Sequence, residues 1–60
     1  MNTNLPQDPI ILLSYINTQL RDFHSDLDEL CLTLGLDKAA LVRRLAEIGY
    51  VYDPAHNRFR

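Results

Sequence analysis

Cysteine is almost missing from this chain: Cys31 stands alone, so no intrachain disulfide can form. A single thiol, with no basic region in the polar start "MNTNLPQDP", argues against a secretory signal and points to a reducing cytoplasm. Long apolar runs are missing too. None exceeds the four residues of "IILL", far from the roughly 20 residues that span a bilayer, so no membrane is expected. Glycine occurs only twice, and neither copy belongs to a phosphate-cradling loop. Positive charge is not in excess, since the net charge is −2 at pH 7, which argues against strong nonspecific nucleic-acid binding. No repeat or low-complexity tract divides the 60 residues, so 1–60 reads as a single domain. A chain this small buries roughly 60% of its unfolded surface. That makes a partner, or a second copy of itself, a natural source of extra stability.

The charge that is present is polarised. Residues 1–37 set Arg21 against Asp8, Asp22, Asp26, Asp28, Glu29 and Asp37, whereas residues 38–60 set Lys38, Arg43, Arg44, Arg58 and Arg60 against Glu47 and Asp53. A local basic patch is therefore compatible with an acidic whole.

Helical periodicity starts after an arm at 1–7, in which Leu5 is available to pack on the body. Asp8 is placed as an N-cap with Pro9 at the first helical position. Leu12, Leu13, Ile16, Leu20 and Phe23 then fall on one broad face. Ile10, Ile11 and Tyr15 fall off it and offer a surface for self-association. In "HSDLDEL" the expected cap is Ser25, with Asp28 three residues on, and Leu27, Leu30, Cys31 and Leu34 face the core. Gly35 supplies the left-handed residue that ends this helix, and Leu36 serves both the corner and the staple onto Leu41 behind the cap Asp37. A third helix over 38–48 buries Leu41, Leu45 and Ile48, with Val42 at the border, before Gly49 ends it. "YVYDPAHNRFR" reads as a hairpin, with Asp53-Pro54 opening a type I turn and Asn57 tolerating a left-handed conformation. Pairing centred on Ala55 would put Val51 opposite Phe59 on the core side and Tyr50 and Tyr52 outside, beside Arg60 and Arg58.

The fold class is therefore mainly α: a three-helix, helix–turn–helix-like domain with a C-terminal two-stranded β-hairpin as a wing. The arm covers 1–7, the helices 8–49 and the hairpin 50–60. The segment "LGLDKAALVRRLAEIGY", and with it residues 32–60, resembles winged helix–turn–helix repressor domains. The matching apolar positions are packing requirements, so they indicate the corner rather than its use. What would carry nucleic-acid binding is the outward face of the third helix, where Arg43 is flanked by Ala39, Ala46 and Glu47 and bordered by Ala40 and Arg44. Lys38, Arg43 and Arg44, joined by Tyr52, His56, Arg58 and Arg60 from the wing, form the candidate contact set. Glu47 shares that face and Asp37 sits at the end that would enter a DNA groove, and both oppose this reading. The alternative is a protein-interaction or homodimerisation surface built on Ile10, Ile11, Tyr15 and Leu32, the last being an apolar residue on the polar side of the second helix.

Catalytic, metal and cofactor sites are not expected. His24, Cys31 and His56 lack paired-ligand spacing, Cys31 falls on a buried face, and His24 reads as a surface residue beside a cap. Asp26, Asp28 and Glu29 cluster where a helix N-terminus attracts acids anyway. Arg21 and Asp22 close the first helix, where a structural role suits both. Sixty residues can hardly enclose a cleft of ~300 Å³ or more, so no small-molecule substrate is expected.

The stretches "NLPQDPIILLSYINTQLRDF", "SDLDELC" and "IGYVYD" resemble the short bacterial family known as domain of unknown function 4250. The resemblance rests on Asn4-Leu5-Pro6 and Leu20-Arg21-Asp22 and extends over nearly the whole chain. It implies a stand-alone, small helical protein and brings no activity, ligand or catalytic position with it.

Overall fold

The structure, a computed structural model, describes residues 5–60. Three helices, α1 (Pro9–Asp22), α2 (Leu27–Leu34) and α3 (Lys38–Ala46), precede an antiparallel pair, β1 (Tyr52–Asp53) and β2 (Arg58–Phe59). The mainly helical reading with a C-terminal hairpin is borne out.

Each helix begins on an aspartate. Asp8 Oδ1 accepts from the backbone N–H groups of Ile10 at 2.8 Å and Ile11 at 3.3 Å, with Pro9 just inside. Asp37 Oδ1 accepts from Ala40 N at 3.3 Å. At α2 the cap is Asp26 rather than Ser25: its Oδ1 accepts from Glu29 N at 2.7 Å. A carboxylate at the positive end of the helix dipole makes a stronger, charge-assisted cap than a hydroxyl, so the start moves one residue on.

Two glycines end helices. Gly35 sits at φ +69°, which only glycine adopts freely, and lets Leu36 N–H return to the Cys31 carbonyl at 2.9 Å. Gly49, at φ +86°, allows the same closure from Tyr50 N–H to the Leu45 carbonyl at 3.0 Å. The turn before it takes α3 out of regular geometry at Ala46, two residues before the expected end.

Leu12, Ile16 and Leu20 of α1, Leu27, Leu30 and Cys31 of α2, Leu41 and Leu45 of α3 and Phe59 of β2 make up the buried core. Leu5, Leu13, Leu34, Leu36, Val42 and Ile48 pack around it. Phe23 does not join them and stays 70% exposed. The helix ends at Asp22, so residue 23 turns off the helical path (φ −130°) before its stripe can deliver it inward.

The hairpin register differs from the symmetric one by a single residue. Tyr52 pairs with Phe59 and Asp53 with Arg58, while Val51 and Arg60 exchange backbone hydrogen bonds at 3.1 and 2.9 Å. The cause is Asn57. The Asp53–His56 turn closes with a His56 N–H to Asp53 carbonyl bond of 3.2 Å, and Asn57, at φ +53°, adds one more loop residue before β2 begins. A slip of one residue flips every side chain of one strand relative to the other. Val51 therefore points to solvent, and Tyr52 turns inward beside Phe59 with ring centroids 5.5 Å apart.

The inward Tyr52 completes a polar relay. Its hydroxyl donates to Asn57 Oδ1 at 2.7 Å and accepts from Leu27 N–H, one of the orphan donors of α2, at 3.3 Å. Asn57 Nδ2 donates to the Leu20 and His24 carbonyls, both at 3.0 Å, at the far end of α1. Closer to the middle of α1, Asn17 Oδ1 accepts from Phe59 N–H at 2.8 Å while its Nδ2 donates to the Phe59 carbonyl at 3.1 Å.

Removing the Tyr52 hydroxyl with Tyr52→Phe keeps the ring but strands the Leu27 amide and one Asn57 lone pair. It is expected to cost about 1–3 kcal/mol in urea-denaturation stability. Leu32→Ala, at a residue 84% exposed, is expected to change stability by no more than about 0.5 kcal/mol.

Candidate functional site

Most cations expected to meet nucleic acid are engaged with the protein itself. Lys38 Nζ, at the start of α3, lies 2.7 Å from Asp28 Oδ1 of α2, and that hydrogen bond raises the lysine pKa. A guanidinium nitrogen of Arg44 donates to the Gln7 carbonyl at 2.6 Å, tying the arm across α3. Leu5 joins this arrangement, lining a small hollow of about 150 Å³ with Leu36, Leu41 and Arg44. On the hairpin, Asp53 Oδ2 takes His56 Nδ1 at 2.7 Å and Arg60 at 3.3 Å. Tyr52 is occupied by the relay and faces inward, so it leaves the contact set. The register argument that put it outside fails with the register.

Arg43 and Arg58 remain. Both are exposed, and neither side chain makes an ion pair or hydrogen bond with a described residue. They occupy different faces. Arg43 stands on α3 among exposed Ala39, Ala46 and Glu47. Arg58, on β2, looks across to α1 over an open groove of about 700 Å³.

That groove is larger than sixty residues were expected to form. It exists because the hairpin is held to α1 through Asn17 and Asn57, while the outer flank of the helix stays uncovered. Leu13 and Leu20 contribute its floor, Ile10 one end, Ser14 and Thr18 the helical wall, and Arg21, His56 and Arg58 its polar rim. None of the lining residues is acidic. Arg21 is bidentate to Asp22, at 3.0 and 3.1 Å.

Of the residues assigned to self-association, Ile10 and Ile11 are 59% and 57% exposed, and Leu32 is exposed on α2. Tyr15 is half-buried and packs against the core, so less of it is available than expected. The structure thus brings Ile10 to the groove and leaves Leu32 on another element.

Asn17 and Asn57 were the positions the residue pattern undervalued. Asn17 carries a readable signal, because it lies on the line of Leu13 and Leu20, where a polar residue must find a partner. His24 was also misplaced. Its side chain is only 8% exposed, with Nδ1 donating to Glu29 Oε1 at 2.7 Å. The Thr33 hydroxyl and His24 together hold Glu29 below its ordinary pKa. The bond to His56 does the same to Asp53, and the Arg21 guanidinium to Asp22. Burial pushes the Cys31 thiol up, which favours the inert protonated form.

No group of three or more His, Cys, Asp or Glu residues is arranged to hold a metal ion among the described residues. No described helix is long and apolar enough to cross a membrane.

The family model described as "Domain of unknown function (DUF4250)" matches residues 6–59. The chain belongs to that family. No curated protein and no solved structure matches the DUF4250 chain. The matched span takes in all three helices and the hairpin, so the relay and the groove both lie inside the DUF4250 domain.

The three lowered carboxylates set an acid limit on stability. A depressed folded-state pKa stabilises above the unfolded value, and that stabilisation disappears as pH falls through the folded value. Stability is therefore expected to hold from neutral pH down to about 4.5, the ordinary value for Glu29, and then to fall as Glu29, Asp53 and Asp22 take up protons. Urea titrations at stepped pH measure this, and Glu29→Gln should flatten the acid limb.

Proposed function

We propose that this DUF4250 chain is a cytoplasmic, non-enzymatic binding module that docks another protein through the groove between α1 and the hairpin. The observation that carries the reading is the contrast between two surfaces. On the α3 and wing surface Lys38 and Arg60 are paired with carboxylates and Arg44 is bonded to a backbone carbonyl, and a cation already paired with a carboxylate releases fewer counterions on meeting phosphate. The groove combines an aliphatic floor, exposed Ile10 and an uncompensated guanidinium. Interfaces combine such features: an apolar centre excludes water and a polar rim sets orientation. Self-association through exposed Ile10 and Ile11 is a version of the same docking reading.

A second reading is nucleic-acid contact, favoured by Arg43. It is exposed on a helix face whose small neighbours Ala39 and Ala46 allow a backbone to approach, and α2 leads into α3 through the Gly35 corner.

Two measurements separate them. In a salt-dependent titration with duplex DNA, the wild type and the Arg43→Ala/Arg44→Ala double variant are expected to bind alike, no tighter than about 10⁻⁴ M at physiological salt. Sedimentation across concentrations, repeated for Ile10→Asp, is expected to show any self-association weakened by that substitution. Tight duplex binding that the double variant abolishes would overturn the docking proposal.

A further inference from the structure

Resting on the reading of this groove as a docking site, we infer that its occupant is an acidic peptide segment of a partner protein, bearing aliphatic side chains among its carboxylates. The argument begins with sign. The chain carries net charge −2, yet the groove is rimmed by Arg21, His56 and Arg58 and lined by no acid. Arg21 and His56 each have a carboxylate behind them, Asp22 and Asp53, that lies outside the lining. Arg58 has none among the described residues, so its guanidinium is the rim group there with an unmet demand for an anion. Its planar fork matches a carboxylate bidentately.

Position strengthens the assignment. Arg58 lies between Asn57, bonded to two carbonyls near the end of α1, and Phe59, bonded twice to Asn17. The backbone that carries the guanidinium is therefore fixed relative to α1 before any partner arrives, which lowers the ordering cost of binding. Across from it, Ser14 and Thr18 stand one turn apart on the wall, within reach of peptide carbonyls. Leu13 and Ile10 provide apolar contact that leucine or isoleucine side chains fill.

The same features count against other occupants. A second copy docked groove to groove would offer Arg58 no lining carboxylate, because the groove has none. A nucleic-acid backbone would satisfy Arg58 but leave the aliphatic floor facing phosphate and sugar. An acidic segment with aliphatic anchors meets both surfaces.

The test uses the full chain, isotope-labelled, and three short synthetic peptides: leucine with glutamate, the same with lysine in place of glutamate, and the same with glutamine. Amide resonances of Leu13, Thr18 and Arg58 are followed during titration. The Leu/Glu peptide is expected to shift them. Arg58→Glu should weaken that binding about tenfold or more and give the Leu/Lys peptide the advantage, with an otherwise unchanged spectrum showing that the variant is folded. Equal binding of all three peptides at the groove would overturn the acidic preference while leaving the docking reading standing. No groove shifts with any peptide, together with α3 shifts on adding duplex DNA, would overturn both.

Discussion

Asn57 ties the three parts of this molecule together. In a left-handed conformation that few other residues tolerate, it sets the hairpin register and delivers Phe59 to the core. Its amide meets two carbonyls near the end of α1, and its oxygen takes the Tyr52 hydroxyl that in turn serves the first turn of α2. With nine buried core residues among those described, the domain has little apolar surplus, so the pairing of these polar groups matters greatly. No buried side-chain nitrogen or oxygen among the described residues lacks a partner. Without Asn57 in place, the end of α1 would lose its polar tie to the hairpin, leaving the Asn17–Phe59 bonds and the Tyr52–Leu27 bond to orient α1, α2 and the hairpin.

Charge follows the same inward logic. The acidic first half and basic second half of the chain come together in Lys38–Asp28. Exposed pairs of this kind add little stability singly, but they decide which surfaces keep a free charge. Here Lys38 and Arg60 are paired with Asp28 and Asp53 and Arg44 is bonded to a backbone carbonyl, so the side chains left over, Arg43 and Arg58, are the informative ones. A net or regional charge read from composition gives no hint of which arginine ends up unpartnered.

What was legible from residues alone were the local devices. Asp8 with Pro9, the Gly35 corner with Asp37, and the left-handed Asn57 each act within a few positions of themselves, and each was readable as a pattern. Errors came where a decision lay between near-equals or spanned the chain. Ser25 and Asp26 both suit a cap, and the stronger acceptor wins. The hairpin register turned on whether Asn57 adds one residue to the loop, and that single residue exchanged the faces of Val51 and Tyr52. Phe23 and His24 were transposed in exposure because the chain leaves the helix at Asp22, before either of them. The groove was illegible, since its walls are residues 10–21 and 56–58, whose meeting depends on the Asn17 and Asn57 bonds.

The bonds between Asn17 and Phe59 have a consequence for how this surface can be used. In the observed register the N–H and C=O of Phe59 face away from β1, and one amide side chain of α1 takes both, much as a neighbouring strand would. The sheet therefore has no open margin at that point, and an extended chain cannot lengthen it by backbone pairing. Whatever settles here must be recognised through its side chains, and the same blocked margin keeps so short a ribbon from templating aggregation.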